Sequence, residues 1–370
     1  MSIDDRLHSL AGMYVEAPQW IKSIIGGAYS LLPRSVRFGP GYQRFLDRFS
    51  CPVDEASVAA QLADTLALAL GRVPAYQAWS GLAARARSDP YGVLRQLPLT
   101  DKAGIKAALD RYLTTRVSAS RRLKAFTGGS TSVPMTFFLE RGVSRAREWA
   151  AFHVLGSRTG VDGDDGVVLA LRGRNVASAA NAQGRMWMYE PIKRHLILSS
   201  DHLEVEHMPR QADALRRWSP EYVHAFPSAL YPLVIWLKSQ GMSDLLSGVK
   251  GVLLTSESVL DHQMQAFAEF FLCPVVCHYG HSERVLFGHT LAGDARYHFW
   301  PHYGHLEVVD DHGRVLSRPG EVGELVGTSF DNSVMPFVRY RTGDYAVVGE
   351  CPHPSWAGFP VCERIEGRLQ

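Results

Sequence analysis

Residues 127–134, Thr127-Gly128-Gly129-Ser130-Thr131-Ser132-Val133-Pro134, pack two glycines and four hydroxyl side chains into eight positions. Glycines let a backbone approach a ligand closely, successive N–H groups make an anion-binding concavity, and hydroxyls add donors to phosphate oxygens. The chemistry is phosphate binding, with an ordinary polar loop as the alternative. It is not a Walker loop, because the Gly-Lys-Ser/Thr end is missing. A second segment, Tyr279-Gly280-His281-Ser282-Glu283, directly follows the strand-like run Pro274-Val275-Val276-Cys277. Ligands of open α/β sheets sit beyond the carboxyl ends of strands. A ring, a glycine, a hydroxyl and a carboxylate at that place could meet a base, a phosphate and a cation. A third segment is Arg339-Tyr340-Arg341-Thr342-Gly343-Asp344, whose aspartate could accept hydrogen bonds from a ribose diol. Taken singly, the second and third segments also read as structural turns.

The elements that must position these segments fall into three parts. Residues 1–120 read as mainly helical. Within residues 56–70, Val58, Leu62, Leu66 and Ala69 recur at helical spacing. Asp54 and Glu55 suit the first turn, Gly71 the stop, with Pro74 beyond it. Thr100 is the candidate cap of a further helix. Residues 121–298 alternate β-rich runs (167–171, 251–254, 274–277) with helical stretches near 143–156, 209–218, 228–240 and 260–271. That alternation predicts an α/β core with a largely parallel sheet. Residues 299–365 read as a compact antiparallel β subdomain. In it Leu306-Glu307-Val308-Val309 and Arg314-Val315-Leu316 form a hairpin around a polar turn, followed by strands at 322–326 and 345–348.

Composition narrows the class. At 46% hydrophobic and 21% charged residues the chain is of ordinary globular type, not disordered, collagenous or coiled-coil. A net charge of +2 gives no concentrated basic signal of nucleic-acid binding. Five cysteines in 370 residues read as thiols in a reducing compartment rather than a disulfide framework. The charged start, MSIDDRLHSL, lacks a signal peptide's apolar core, and no run is long enough to span a membrane. The expectation is a cytoplasmic enzyme without nucleic-acid or membrane partners.

In this order, the three segments resemble the motifs of the adenylate-forming superfamily, which holds acyl-CoA synthetases, adenylation domains and luciferases. The nearest likeness is to its phenylacetate–CoA ligase branch and that branch's CapK-like members. Residues 127–134 resemble the phosphate loop, 279–283 the Tyr-Gly-x-Ser/Thr-Glu motif and 340–344 the Tyr-Arg-Thr-Gly-Asp motif. Gly367-Arg368 resembles the pair that precedes the interdomain hinge. Leu97-Pro98-Leu99-Thr100-Asp101-Lys102, Ala225-Phe226-Pro227-Ser228, Thr255-Ser256-Glu257 and Glu321-Val322-Gly323-Glu324-Leu325 are similar to intervening segments. The resemblance runs from about residue 70 to the last.

The resemblance implies a fold and roles. The fold is the α/β N-terminal domain of an adenylate-forming enzyme: parallel-sheet subdomains, a helical lead-in and a small distorted β-barrel. Thr127, Gly128, Gly129, Ser130 and Thr131 would hold the β- and γ-phosphates of ATP. Tyr279 and Gly280 would lie along adenine, with Ser256 and Glu257 as the opposite wall. Ser282 would touch the α-phosphate, Glu283 would hold Mg2+, and Asp344, assisted by Arg368, would bind the ribose. His281 would face the acyl or phosphate site, and Phe226, Pro227 and Ser228 would lie along the acid. The implied reaction converts a small carboxylic acid, aromatic or arylacetic, to an acyl-adenylate. The acyl group then passes to a thiol, of CoA or of a carrier protein's phosphopantetheine, or to an amine, and relatives suggest a homodimer. By the same resemblance residues 366–370 begin a hinge. A lid domain would follow them, and without it adenylation would be slow.

Two departures stand against these roles. Ser132 replaces a family glycine, which would cost on the order of 1 kcal/mol if that position has positive φ, and no lysine follows Pro134. They support an alternative, a degenerate relative that binds nucleotide or acyl ligand without turnover. Cys273, Cys277, His278 and His281, with Cys351, His353 and Cys362, are zinc-type residues. The absence of a Cys-x-Cys pair argues instead for buried thiols and no structural zinc. Trp187 and Tyr189 read as core, and Arg172 and Arg174 as a solvated loop.

Overall fold

The computed structural model describes residue 14 and residues 17–115, 117–128, 134–161, 166–173, 186–200, 203–351 and 356–368. Asp54 starts the longest lead-in helix: its carboxylate accepts from the N–H groups of Ala56 and Ser57 at 3.3 and 3.1 Å. The helix, Glu55–Arg72, buries Val58, Leu62, Leu66 and Ala69 as their spacing requires. It runs one residue past the expected stop at Gly71, and Pro74 then opens a 3-10 run, Pro74–Leu82. Thr100 is not a cap. Asp101 takes that place, accepting from Gly104 N at 2.7 Å. Thr100 instead makes a parallel bridge to Tyr340, exchanging backbone hydrogen bonds with Arg339 and Arg341. The Leu-Pro-Leu-Thr segment is thereby a brace behind the third motif.

The strands are β1 Arg122–Phe126, β2 Thr136–Glu140, β3 Val168–Leu171, β4 Trp187–Glu190, β5 His195–Leu198, β6 Tyr222–Ala225, β7 Gly251–Thr255 and β8 Val275–Gly280. They continue as β9 Phe287–Leu291, β10 Asp294–Phe299, β11 Gly304–Val309, β12 Val315–Leu316, β13 Val322–Ser329, β14 Tyr340–Val348 and β15 Val361–Gly367. β1 and β2 form a separate antiparallel hairpin. The others make one thirteen-stranded sheet in the order β12-β11-β13-β14-β15-β10-β9-β8-β7-β6-β3-β5-β4. The run β5-β3-β6-β7-β8 is parallel, as the alternation of strands and helices predicts. β4 adds an antiparallel edge. On the other side the antiparallel pairing begins at β9, before residue 299, so the C-terminal strands extend the same sheet. Among the described residues these strands do not close into the expected barrel.

Side chains alternate across a strand, and the two faces of the parallel sheet bury different partners. Leu169, Leu171, Leu196, Leu198, Val223 and Leu254 pack against the helices Met208–Trp218, Pro227–Ser239 and Asp261–Phe270. The opposite face, with Leu253, Val276 and Phe287, meets the helix Ser144–Thr159. That helix ends at Gly160, φ +76°, and Arg147 pins it. The Arg147 guanidinium lies 3.6 Å from the centre of the Tyr303 ring and donates to the carbonyl of Arg284 at 3.2 Å. Trp187 and Tyr189 pack on Trp218 at the β4 edge, as structural residues. Among the described residues no helix is long and apolar enough to cross a membrane.

Candidate functional site at the carboxyl ends of the parallel strands

β14 presents Asp344 by a turn in its own course. Gly343 has φ +81°, the left-handed region that favours glycine. The ladder with β13 shifts register between Glu324 and Val326. Glu324 holds the irregularity: it accepts from Gly343 N at 3.0 Å and from Arg341 Nε at 2.6 Å. Thr342 Oγ1 donates to the Leu325 carbonyl at 2.8 Å and accepts from Asp344 N at 3.1 Å. The Gly-Glu-Leu segment is thus the mould for Thr-Gly-Asp. Arg339, the first residue of the motif, is structural; it pairs with buried Glu307 at 3.0 Å and donates to the Leu97 carbonyl at 2.9 Å.

Two motifs separated by some sixty residues meet at the end of β8. The Tyr279 hydroxyl donates to Asp344 Oδ2 at 2.9 Å, and Arg368 Nε donates to Oδ1 at 3.3 Å. The Tyr340 hydroxyl donates to Glu283 Oε1 at 2.6 Å, and His281 Nδ1 lies 3.5 Å from Oε2. Burial opposes ionisation of Glu283, but His281 and the Tyr340 hydroxyl outweigh it and hold the carboxyl down to about 2. Burial first, and then the Asp344 charge, push the Tyr279 phenol well above its ordinary value, so it stays a donor. The glycine at 280 gives His278 room: a Cβ there would lie 2.8 Å from His278 Cε1. Burial, then His289, Arg172 and His281, depress His278 to about 3, so its ring is neutral.

Beside this junction a cavity of about 420 Å³ opens on the face covered by helix Ser144–Thr159. Phe226, Ser256, Gly280, His281 and Ser282 line it, joined by Phe152, Arg172, His224 and His278. The Nε2 atoms of His278 and His281 are buried there without a hydrogen-bond partner among the described residues. Polar atoms left in this way fit a wall that a ligand completes. Ser256 stands at φ +67°, a strained conformation for a residue with a side chain.

Glu257 accepts from Ser228 N and Ser228 Oγ at 3.1 and 2.9 Å, tying the loop after β7 to the start of helix Pro227–Ser239. Ser228 and Pro227 are accordingly outside the cavity wall, whereas Phe226 is in it. Thr127 fastens the base of the β1–β2 hairpin loop: its N–H donates to the Met135 carbonyl at 3.0 Å and its Oγ1 accepts from Met135 N at 2.9 Å. Gly128 is exposed with open space around it. Gly129, Ser130, Thr131 and Ser132 lie outside the described residues, as do Arg174 and His353. Arg172 does not sit in a solvated loop. It is half-buried, lines the cavity and donates from Nη1 to His224 Nε2 at 3.3 Å. Burial pushes the Cys277 and Cys362 thiols up to about 11 and about 12. Among the described residues no cluster of three or more His, Cys, Asp or Glu is arranged for a metal.

Sequence reasoning missed Glu148, Phe152, His224 and Arg284. Their signal was present but faint. On a helix that must cover a sheet, Arg145, Glu148, Trp149, Phe152 and Gly156 recur at three- and four-residue steps, and the stripe is too polar for a core face.

The fold is that of the adenylate-forming enzymes. Among solved structures the chain is similar to 2-hydroxyisobutyryl-CoA ligase in complex with 2-HIB-AMP and CoA in the thioesterification state. The TM-score is 0.63 at 16% identity, covering 84% of this chain and 67% of that one. The open conformation of that ligase, with the same molecules, gives a TM-score of 0.59 at 16% identity, covering 84% and 74%. In sequence the chain is similar to Protein CapK of Staphylococcus aureus, at 22% identity over 251 residues. That match covers 68% of this chain and about half, 53%, of CapK. No profile of a known protein family matches the chain.

Proposed function

We propose that this chain is the nucleotide- and acid-binding part of a ligase that activates a carboxylic acid as an acyl-adenylate. The carrying observation is the meeting of Tyr279, Asp344 and Arg368 with Tyr340 and Glu283, directly beside a cavity whose wall includes Ser282 and His281. Asp344 keeps acceptor capacity for a ribose diol, since an ionised carboxylate has about four lone-pair sites and here receives two donors. Tyr279, Gly280 and the loop at Ser256 would flank the base. Thr127 anchors the hairpin loop whose Gly128–Thr131 run would receive the terminal phosphates.

In the reaction an oxygen of the acid attacks the α-phosphorus of ATP, a new P–O bond forms, and the bond to the β-phosphate breaks, releasing pyrophosphate. The acid is a carboxylate at neutral pH, so no general base is needed. Holding nucleophile and phosphorus in line is the main task. The residues present fit a magnesium ion. Glu283 is ionised, and its Oε2 has only the long contact to His281, whereas Mg2+ on a nucleotide takes one or two carboxylates plus phosphate oxygens. When bound, the cation neutralises phosphate charge. Ser282 would donate to the α-phosphate. His281, fixed between Glu283 and the cavity, would donate from Nε2 toward the acid or the α-phosphate. Arg172 and His224 would set the acid's far end.

The acceptor would be the thiol of CoA or of a carrier protein's phosphopantetheine, or an amine. The solved ligase with CoA and the acyl-AMP supports the first. The test is acid-dependent exchange of labelled pyrophosphate into ATP over a broad panel of acids. Exchange that depends on an acid and on Mg2+ supports the reading. A chain that binds ATP but shows no exchange with any acid refutes it in favour of a non-catalytic binder.

A further inference from the structure

His278 lines the cavity, and the proposed reaction leaves it unused. It is 9% exposed, and its ring packs against two others, with centres 4.9 Å from Phe152 and 4.5 Å from Phe287. Its Nδ1 lies 3.4 Å from Thr255 Oγ1, at the end of β7. Side chains alternate along a strand, so His278 and Gly280 share a face of β8. The ring leans along the strand over Gly280: a Cβ there would lie 3.0 Å from Nε2. The Nε2 edge therefore stands toward the carboxyl end of β8, and Gly280, His281 and Ser282 line the same cavity. Nε2 is buried and has no hydrogen-bond partner among the described residues. Leaving a buried polar atom unpaired costs free energy, and folded proteins rarely do so without a reason.

The surroundings decide what completes the ring. Burial, then His289, Arg172 and His281, keep it uncharged. An ammonium group finds no open carboxylate beside it. Glu148 accepts from Arg284 Nε at 2.9 Å and from the Tyr303 hydroxyl at 3.0 Å, and Glu283 accepts from Tyr340 at 2.6 Å and would hold the magnesium ion. Nor does the wall call for a second anion. Arg284 is set against Glu148, and Arg172 has partners, His224 Nε2 among them at 3.3 Å. A ketone oxygen only accepts, whereas an alcohol donates and accepts, so an alcohol satisfies Nε2 whichever ring nitrogen carries the proton. We infer that the acid this site activates carries a hydroxyl group close to its carboxylate, hydrogen-bonded to His278 Nε2 while the carboxylate faces Ser282 and His281. The inference rests on the adenylation reading and names its substrate class. The resemblance by itself implies an aromatic or arylacetic acid and says nothing of a hydroxyl.

Matched acids that differ by one hydroxyl test it: mandelate and phenylacetate, salicylate and benzoate, 3-hydroxybutyrate and butyrate. Pyrophosphate exchange by the full chain should favour the hydroxylated member of at least one pair by about tenfold or more in kcat/KM. That preference should disappear in His278→Phe, which keeps a planar ring against Phe152 and Phe287. It should be partly kept in His278→Gln, whose amide can reach the place of Nε2. Equal rates within every pair overturn the inference and leave adenylation standing, and this comparison needs no variant to fold. A preference that His278→Phe keeps also overturns it, because a loss shared equally by both members means that His278 serves their common carboxylate. Calorimetry with the same pairs separates the two claims. A hydroxyl preference in binding that His278→Phe abolishes, without exchange by any acid, refutes adenylation and upholds the hydroxyl contact. Neither binding nor exchange with any of these acids overturns both.

Discussion

The two sides of the cleft are built in opposite ways. On the side proposed for the nucleotide, the tyrosines and carboxylates that the motifs supply engage one another and their neighbours: Tyr279 and Arg368 with Asp344, Tyr340 with Glu283, and Glu324 with Gly343 and Arg341. On the acyl side, ring nitrogens of His278 and His281 are left without hydrogen-bond partners among the described residues. On the proposed reading, the first arrangement suits a ligand that does not vary and the second a wall whose polarity a particular ligand completes. That reading puts the chemistry on strand ends and backbone-held turns, and the specificity on one helix face.

Several substitutions sharpen or break this contrast. The largest effect belongs to Glu283→Gln, which removes the ionised oxygen beside His281; acid-dependent pyrophosphate exchange should fall on the order of 100- to 1000-fold, with nucleotide affinity less affected. Asp344→Ala loses an acceptor of charge-assisted hydrogen bonds, so the KM for ATP should rise about 10- to 100-fold while the KM for the acid stays close to its starting value. Arg172→Met should do the reverse, raising the KM for the acid about tenfold and sparing that for ATP. Equal effects of these last two on both substrates would dissolve the division between the two sides.

The buried acyl-side ring also predicts a pH dependence. His278 titrates at about 3 in the folded chain, against about 6.5 unfolded. The unfolded chain therefore binds the extra proton first, and stability is full above pH 6.5 and is lost as pH falls from there toward 3. Glu283 works in a lower window: its depressed carboxyl contributes stability above about 4.3 that is lost as pH falls toward 2. Urea melts at stepped pH should show the decline starting near 6.5, and His278→Asn should flatten it. The smallest effect is Gly343→Ala, about 1 kcal/mol for a side chain at φ +81°, read as a melting shift of roughly 2 °C.

The contrast also explains what the sequence made legible. Helix Glu55–Arg72, the parallel strands and the helices between them follow from period and punctuation, because each buries one face against one layer. Glu283 and Asp344 stand out because each closes a short local segment whose residue types resemble a known motif. Arg172, His224 and Glu148 do not, because they come from three separate elements and become neighbours only when helix Ser144–Thr159 lies on the sheet. Thr100 was misplaced for a related reason: local capping chemistry favours it as much as Asp101, and the bridge to Tyr340 that decides between them is long-range. The barrel is what the resemblance implies; the strand pattern itself says only antiparallel, and strand periodicity does not say whether a sheet closes or runs on. The hydrogen bonds between Ser228 and Glu257 could not be read from positions 29 residues apart.

The central claim is that the chain makes an acyl-adenylate at the junction of Tyr279, Glu283 and Asp344. It is tested most directly by mass spectrometry of the protein's bound small molecules after incubation with ATP, Mg2+ and a panel of acids with and without a hydroxyl group. The account predicts a retained species at the mass of an acid joined to AMP, absent without the acid and absent in Glu283→Gln. ATP bound unchanged with every acid, and no acyl-AMP mass in any sample, would contradict it.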